Sequence, residues 1–92
     1  NFMLHVVSQS PFSHSLLQSC LALMQADDQL LLMQDAVIAV TAHHWVQQLR
    51  DKEIYVLQED LTAGGLTPKI GIPINMTGYV ALVVKYNSPL CW

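Results

Sequence analysis

Two runs in this chain, Leu30-Leu31-Leu32-Met33 and Ile54-Tyr55-Val56-Leu57, are apolar at consecutive positions. They stop at Gln34-Asp35 and at Gln58-Glu59-Asp60. A strand without polar alternation has to be covered on both faces, as in a parallel sheet between helices. Met3 to Val7 reads as a first strand that leaves the core through Ser8-Gln9-Ser10-Pro11. Ser10 is placed as a helix N-cap and Pro11 at the first helical position, where its missing N–H costs nothing. The helix is expected to run to about Ala26, closed by Asp27-Asp28. At about 100° per residue, Leu16, Leu17, Cys20, Leu21, Leu23 and Met24 share one arc, opposite Ser15, Gln18, Ser19, Ala22, Gln25 and Ala26. That division predicts an amphipathic helix laid on a sheet.

Ala36 to Ala42 is apolar and ambiguous, compatible with a helical turn. His43 to Lys52 is more helical, with Trp45, Val46 and Leu49 inward and Gln47, Gln48 and Arg50 outward. Asp60 to Ala63 reads as a short helix stopped by Gly64-Gly65. Thr67-Pro68-Lys69 is a loop. Ile70 to Ile74 makes a short strand that Gly71 and Pro73 demote to an edge or irregular segment. Met76 to Tyr86 is the last helix, and Ser88 to Trp92 fits a final strand or a tail. The expected architecture is a three-layer α/β/α fold with a mostly parallel sheet of about five strands, one domain over residues 3–92. Asn1-Phe2, ahead of Met3, reads as a cloning remnant before the natural start.

The last helix complicates a simple sandwich. Tyr79, Val80, Leu82, Val83, Val84 and Tyr86 occupy more than half of its circumference, leaving Ala81 and Lys85 on the remainder. One sheet cannot bury so wide a face, and valine carries an entropic cost in a helix that outside contacts must offset. Tyr79, Val80, Val83, Val84 and Tyr86 are therefore the candidate subunit contacts. Composition agrees: 52% of the 92 residues are apolar and only 12% charged, about half the usual ~25%. Such a chain is expected to hide surface in an oligomer, with other subunits or with copies of itself. No apolar run approaches the roughly 18–20 residues that span a bilayer, and the first residues, which lack a basic segment and turn polar from Ser8, are not expected to be a signal peptide. Four Lys and Arg against seven Asp and Glu, without a basic cluster, exclude an electrostatic grip on nucleic acid.

Candidate chemistry is sparse. Cys20 and Cys91 lie at opposite ends of the chain without a CxxC partner, and the absent signal favours free thiols in a reducing cytosol. Cys20 sits in mid-helix on the apolar arc, with no neighbouring cation. A packed core thiol is the plain alternative to a reactive one. Cys91, beside Trp92, reads as incidental. His43 and His44 are adjacent and diverge by ~100° on a helix, so they make no metal pair. His5 would alternate along the first strand, and His14 opens the first helix on its polar side. Asp35, Glu59 and Asp60 fall at the carboxyl ends of adjacent strands, where open α/β sheets place ligands. They are candidates for small-molecule or Mg²⁺ binding, or for capping the helices they begin. No glycine follows the first strand between Ser8 and Phe12, which disfavours a nucleotide loop, and no GxSxG is present. No cofactor is expected.

Taken in order, the landmarks become recognisable as a set. They are Met3-Leu4-His5, Ser10-Pro11-Phe12, Leu30-Leu31-Leu32-Met33-Gln34-Asp35-Ala36-Val37, Tyr55-Val56-Leu57-Gln58-Glu59-Asp60-Leu61, Ala63-Gly64-Gly65-Leu66 and the terminal Trp92. With this order and spacing, from Met3 to Trp92, the chain resembles the TusB/DsrH family of small sulfur-relay subunits. The resemblance implies a DsrE-like fold and cytoplasmic assembly with TusC- and TusD-like subunits into a heterohexamer. It implies passage of persulfide sulfur toward 2-thiolation of the wobble uridine of tRNA. The acceptor cysteine belongs to the TusD-like subunit, so this chain is expected to be a structural, non-catalytic member. In the DsrH branch a helix-one cysteine stands in a context like Ser19-Cys20-Leu21, which makes Cys20 a candidate sulfur carrier. Two departures stand out: Ala36 replaces a common glycine, and Gly64 replaces the arginine of Ala-Arg-Gly-Leu.

Overall fold

The consecutive apolar runs become the centre of a five-stranded sheet in a computed structural model that describes residues 3–13, 15–86 and 89–92. The expectations for Asn1-Phe2, His14 and Ser88 lie outside the described residues. β1 (Leu4–Val7) and β2 (Gln29–Leu32) are buried at every position, and β3 (Glu53–Leu57) at Ile54, Val56 and Leu57. Their register sets Leu4 beside Gln29, Val6 beside Leu31 and Leu31 beside Tyr55. β4 (Ile72–Ile74) pairs with β3, and β5 (Leu90–Cys91) with β1, so the order is β4-β3-β2-β1-β5 with every pair parallel. The expected three-layer α/β/α class stands.

That order decides how the layers fill. From β1 through β2 and β3 to β4 the chain steps in one direction, and right-handed crossovers put every intervening helix on one face. These are α1 (Leu16–Leu23), the 3₁₀ helix Gln34–Val40, α2 (His43–Leu49) and α3 (Gln58–Ala63). Leu17, Cys20, Val37, Val40, Trp45, Leu49 and Leu61 from these elements pack there on Val7, Leu30, Leu32, Ile54 and Val56. The step from β4 back past β1 to β5 reverses direction, so its helix, α4 (Met76–Tyr86), takes the opposite face. Tyr79, Leu82, Val83 and Tyr86 of α4 meet Leu4, Val6 and Leu31 there, with Met33, Tyr55 and Ile74 alongside. Asn75 starts α4 by accepting the Gly78 N–H on Oδ1 at 2.8 Å.

Two local expectations are corrected. The first helix is shorter at both ends than Ser10 to Ala26. The Ser10 hydroxyl accepts the Phe12 N–H at 3.2 Å and its carbonyl accepts the Ser13 N–H at 3.2 Å, which closes a turn over Pro11 instead of a helix. At the far end Met24 is extended and the Asp28 carboxylate takes the Gln25 N–H at 2.9 Å, drawing the chain away. Leu23 consequently points outward, 60% exposed, and does not join the buried arc. The demotion of Ile70–Ile74 holds: only Ile72–Ile74 pairs, at the sheet edge. Gly71, at φ 96°, lies so near β3 that a Cβ would stand 2.8 Å from Val56 Cγ2.

The carboxyl-terminal strand is fastened by a buried polar chain. Trp92 Nε1–H donates to His5 Nδ1 at 3.2 Å, and His5 Nε2 lies 2.9 Å from Asp28 Oδ2. An indole nitrogen only donates. Nδ1 therefore accepts, and the geometry assigns the Nε2–H tautomer, donating to the carboxylate. Asp28 also accepts the Met3 N–H at 3.1 Å and the Gln25 N–H. Burial raises its carboxyl pKa, but the Gln25 N–H, His5 and the Met3 N–H together hold it below the ordinary 3.8. The stability this carboxylate contributes is present above pH 3.8 and is lost as pH falls through its lower folded value. Denaturant unfolding across pH 6 to pH 2 will show Asp28→Asn less stable by about 1–3 kcal/mol at pH 6, with a shallower decline on acidification than the parent.

Candidate functional site

At the carboxyl ends of β2 and β3 the strands pass straight into helices, and the two junctions are joined. Gln34, the first residue of the 3₁₀ helix, adopts φ 52°, and its N–H donates to Asp60 Oδ2 at 2.6 Å. Asp60 thus satisfies the open N-terminus of the neighbouring helix and not that of its own. Neither helix carries a side-chain cap from its own flank, which corrects the expectation that Asp35, Glu59 and Asp60 cap the helices they begin. Asp35 and Asp60 line a cleft of about 610 Å³ with Gln34, Val37, Ile38, Ala63, Gly64 and Leu66; Glu59 is exposed and outside the lining. α3 ends in a Schellman arrangement with Gly65 at φ 64°, the Leu66 N–H bonding the Leu61 carbonyl at 2.9 Å.

Among the described residues this cleft presents two carboxylates and no Lys, Arg or His. Its charge repels a phosphate or a persulfide anion. Among the described residues no group of three His, Cys, Asp or Glu is placed to hold a metal ion. The cleft also misses the topological switch point, which lies between β1 and β5, where the chain reverses direction across the sheet. Both observations weigh against a small-molecule site built on Asp35 and Asp60.

Cys20 lies in the middle of α1, fully buried against the sheet. Burial foremost, and then the negative charge of Asp28, push its thiol up to about 12. A sulfur carrier needs a thiolate that a donor can reach, and this position offers neither. Cys91 is exposed on β5. His43 and His44 each hydrogen-bond the glutamine one turn on, Gln47 at 3.1 Å and Gln48 at 2.9 Å, and His44 also packs edge-on against Trp45, so the two histidines form no pair. The five α4 residues divide. Tyr79, Val83 and Tyr86 lean onto the sheet, whereas Val80, 52% exposed, and Val84, 73% exposed, stand outward with Met76.

Two polar groupings escape a reading by periodicity. His5 occupies a strand position on the core side, and its partners Asp28 and Trp92 are 23 and 87 residues away. Gln29 and Glu53 begin neighbouring strands and meet through the Gln29 side-chain amide, with Tyr55 donating to Glu53 as well. The available signal was a polar residue opening each apolar run.

Comparison with known proteins bears on what these features serve. The family model described as DsrH like protein matches residues 9–88. The chain belongs to the DsrH-like family. Curated relatives named Protein TusB cover 98% of it and 100% of their own length. Those from Escherichia coli and Shigella boydii are 40% identical, and that from Escherichia fergusonii is 41% identical. In this DsrH-like chain Cys20 is a packed thiol by every geometric measure. Maleimide labelling of the native protein at neutral pH will modify Cys91 and spare Cys20 until denaturant is added. Cys20→Ser, which puts a more polar and smaller group into the apolar core, will lower stability by about 1–3 kcal/mol.

Proposed function

We propose that this chain is a TusB-like subunit of a cytoplasmic sulfur-relay complex, acting as scaffold and interface and not as the sulfur-bearing centre. The observation that carries this is the sheet face left to α4 alone. Five strands spaced ~4.8 Å apart span about 19 Å, and a helix with its side chains is only about 10 Å wide. Val80 and Val84 project from α4, and Ile72, in register beside Tyr55, is exposed on the same side of the sheet. Burial of such residues contributes about 1.5–3 kcal/mol each, a gain available only when another polypeptide covers them. No helix among the described residues is long and apolar enough to cross a membrane.

The partners in this reading are TusC- and TusD-like homologous subunits, in a heterohexamer that passes persulfide sulfur toward 2-thiolation of the tRNA wobble uridine. Contact with RNA falls to other components, since the net charge of −3 repels phosphate. The buried Cys20 supports a role without sulfur transfer of its own.

Tagged chain co-expressed with TusC- and TusD-like subunits will elute with them as one complex, and alone it will self-associate or lose solubility. Val80→Asp with Val84→Asp will weaken assembly by about tenfold or more while the fold persists. Cys20→Ala will leave sulfur transfer through the assembled complex intact. A soluble monomer indifferent to both partners would overturn the reading. A persulfide adduct on Cys20 after incubation with a loaded donor would reinstate the carrier role.

A further inference from the structure

The last strand has little of its own to hold it. β5 pairs with β1 at two register positions, His5 with Leu90 and Val6 with Cys91, and both β5 residues are exposed. Just beyond them the Trp92 N–H donates to the Val6 carbonyl at 2.8 Å. A strand this short is marginal by itself. Its anchor is the Trp92 indole, which packs against the large core and donates from Nε1 to His5 Nδ1 at 3.2 Å.

The indole rests there only while Nδ1 keeps its lone pair. An indole N–H donates and never accepts, and an imidazolium carries hydrogen on both nitrogens. A second proton on His5 would therefore set two donors against each other. His5 is 2% exposed, so that proton reaches Nδ1 only as the indole moves aside. The other ring nitrogen is indifferent to β5. Nε2 bonds Asp28 Oδ2 at 2.9 Å, and Asp28 is held in turn by the Met3 and Gln25 N–H groups, neither of them on β5. The attraction of Asp28 for an imidazolium is the same with β5 docked or released. What differs is the bond at Nδ1, which favours the neutral ring in the docked state, and burial acts in the same direction.

The groups around His5, among the described residues, are few. Leu30 and Leu90 flank it in the sheet. Cys20 of α1 senses Asp28, but its thiol is pushed up to about 12, by burial first and that charge second, and stays neutral. Cys91 and Asp27 are exposed, and α4 lies across the sheet. Carboxylates ionise well below the imidazole range.

We infer that β5 is a strap released by protonation of His5. A proton taken from solvent onto Nδ1 breaks the Trp92 bond, Nε2–H stays on Asp28, and β5 lifts from the outer edge of β1. That edge lies at the topological switch point, where the chain reverses direction across the sheet. The docked state binds fewer protons, so its stability is full at the alkaline end of the imidazole range and is lost as pH falls through it. The strap needs no partner and stands apart from the subunit reading.

Hydrogen exchange of the full chain between pH 8 and pH 5, corrected for the intrinsic pH dependence of exchange, tests the strap. The backbone amide at position 92 is expected to lose protection roughly tenfold or more as pH falls, with β2 and β3 unchanged. His5→Asn, whose side-chain oxygen accepts from the indole without titrating, will keep that amide protected throughout. Trp92→Phe, which keeps an aromatic ring and removes the donor, will leave it weakly protected at both ends of the range. Protection in the parent that ignores pH, a loss shared by β2 and β3, or a loss in His5→Asn equal to the parent's would each overturn the inference. If His5→Asn does not fold, Trp92→Phe decides: a pH-dependent loss as large as the parent's overturns the strap, and a flat profile supports it.

Discussion

The handedness of parallel crossovers governs this molecule more than any single contact. With strand order β4-β3-β2-β1-β5, three successive connections run one way and place α1, the 3₁₀ helix, α2 and α3 on a single face. The one connection that runs back places α4 on the other. An unequal sandwich follows: a deep core on one side, and on the other an 11-residue helix against a sheet too wide for it. The exposed valines of α4 are thus a consequence of topology, and the proposed subunit contact is where the chain's own elements run out.

The polar features arrange themselves around that inequality. On the well-covered face, His5, Asp28 and Trp92 close a buried chain of hydrogen bonds that binds the last strand to the first and to the loop before β2. Every strong group there has a partner, and the carboxylate is held charged by its donors. On the thin face Gln29 and Tyr55 both donate to Glu53, and Gln29 Oε1 is buried without a partner among the described residues. The cysteine follows the same division. Cys20 belongs to the deep core, where burial keeps it protonated.

Much of the architecture was legible along the chain. Consecutive apolar runs revealed the buried parallel strands, Gly64-Gly65 the end of α3, and Gly71 with Pro73 the weak edge strand. α4 was bounded at Met76 and Tyr86 by periodicity alone. These signals are local, since each depends on residues within a turn or a strand of one another. The misreadings were local rules overridden at a distance. Ser10 closed a turn instead of capping a helix, Asp28 pulled the first helix short, and Asp60 capped the helix that follows β2 in place of its own.

Sequence by itself therefore determined the class of fold, the family resemblance and the excess of apolar surface. Composition, periodicity and the order of landmarks survive in a linear reading. Only the tertiary structure decided which apolar residues stay uncovered, that Cys20 points into the core, and which polar residues meet. His5 finds Trp92 across 87 positions, and Gln29 finds Glu53 across 24. Such pairings depend on strand order and register. Those are set by how the whole chain packs, and no spacing between residues records them.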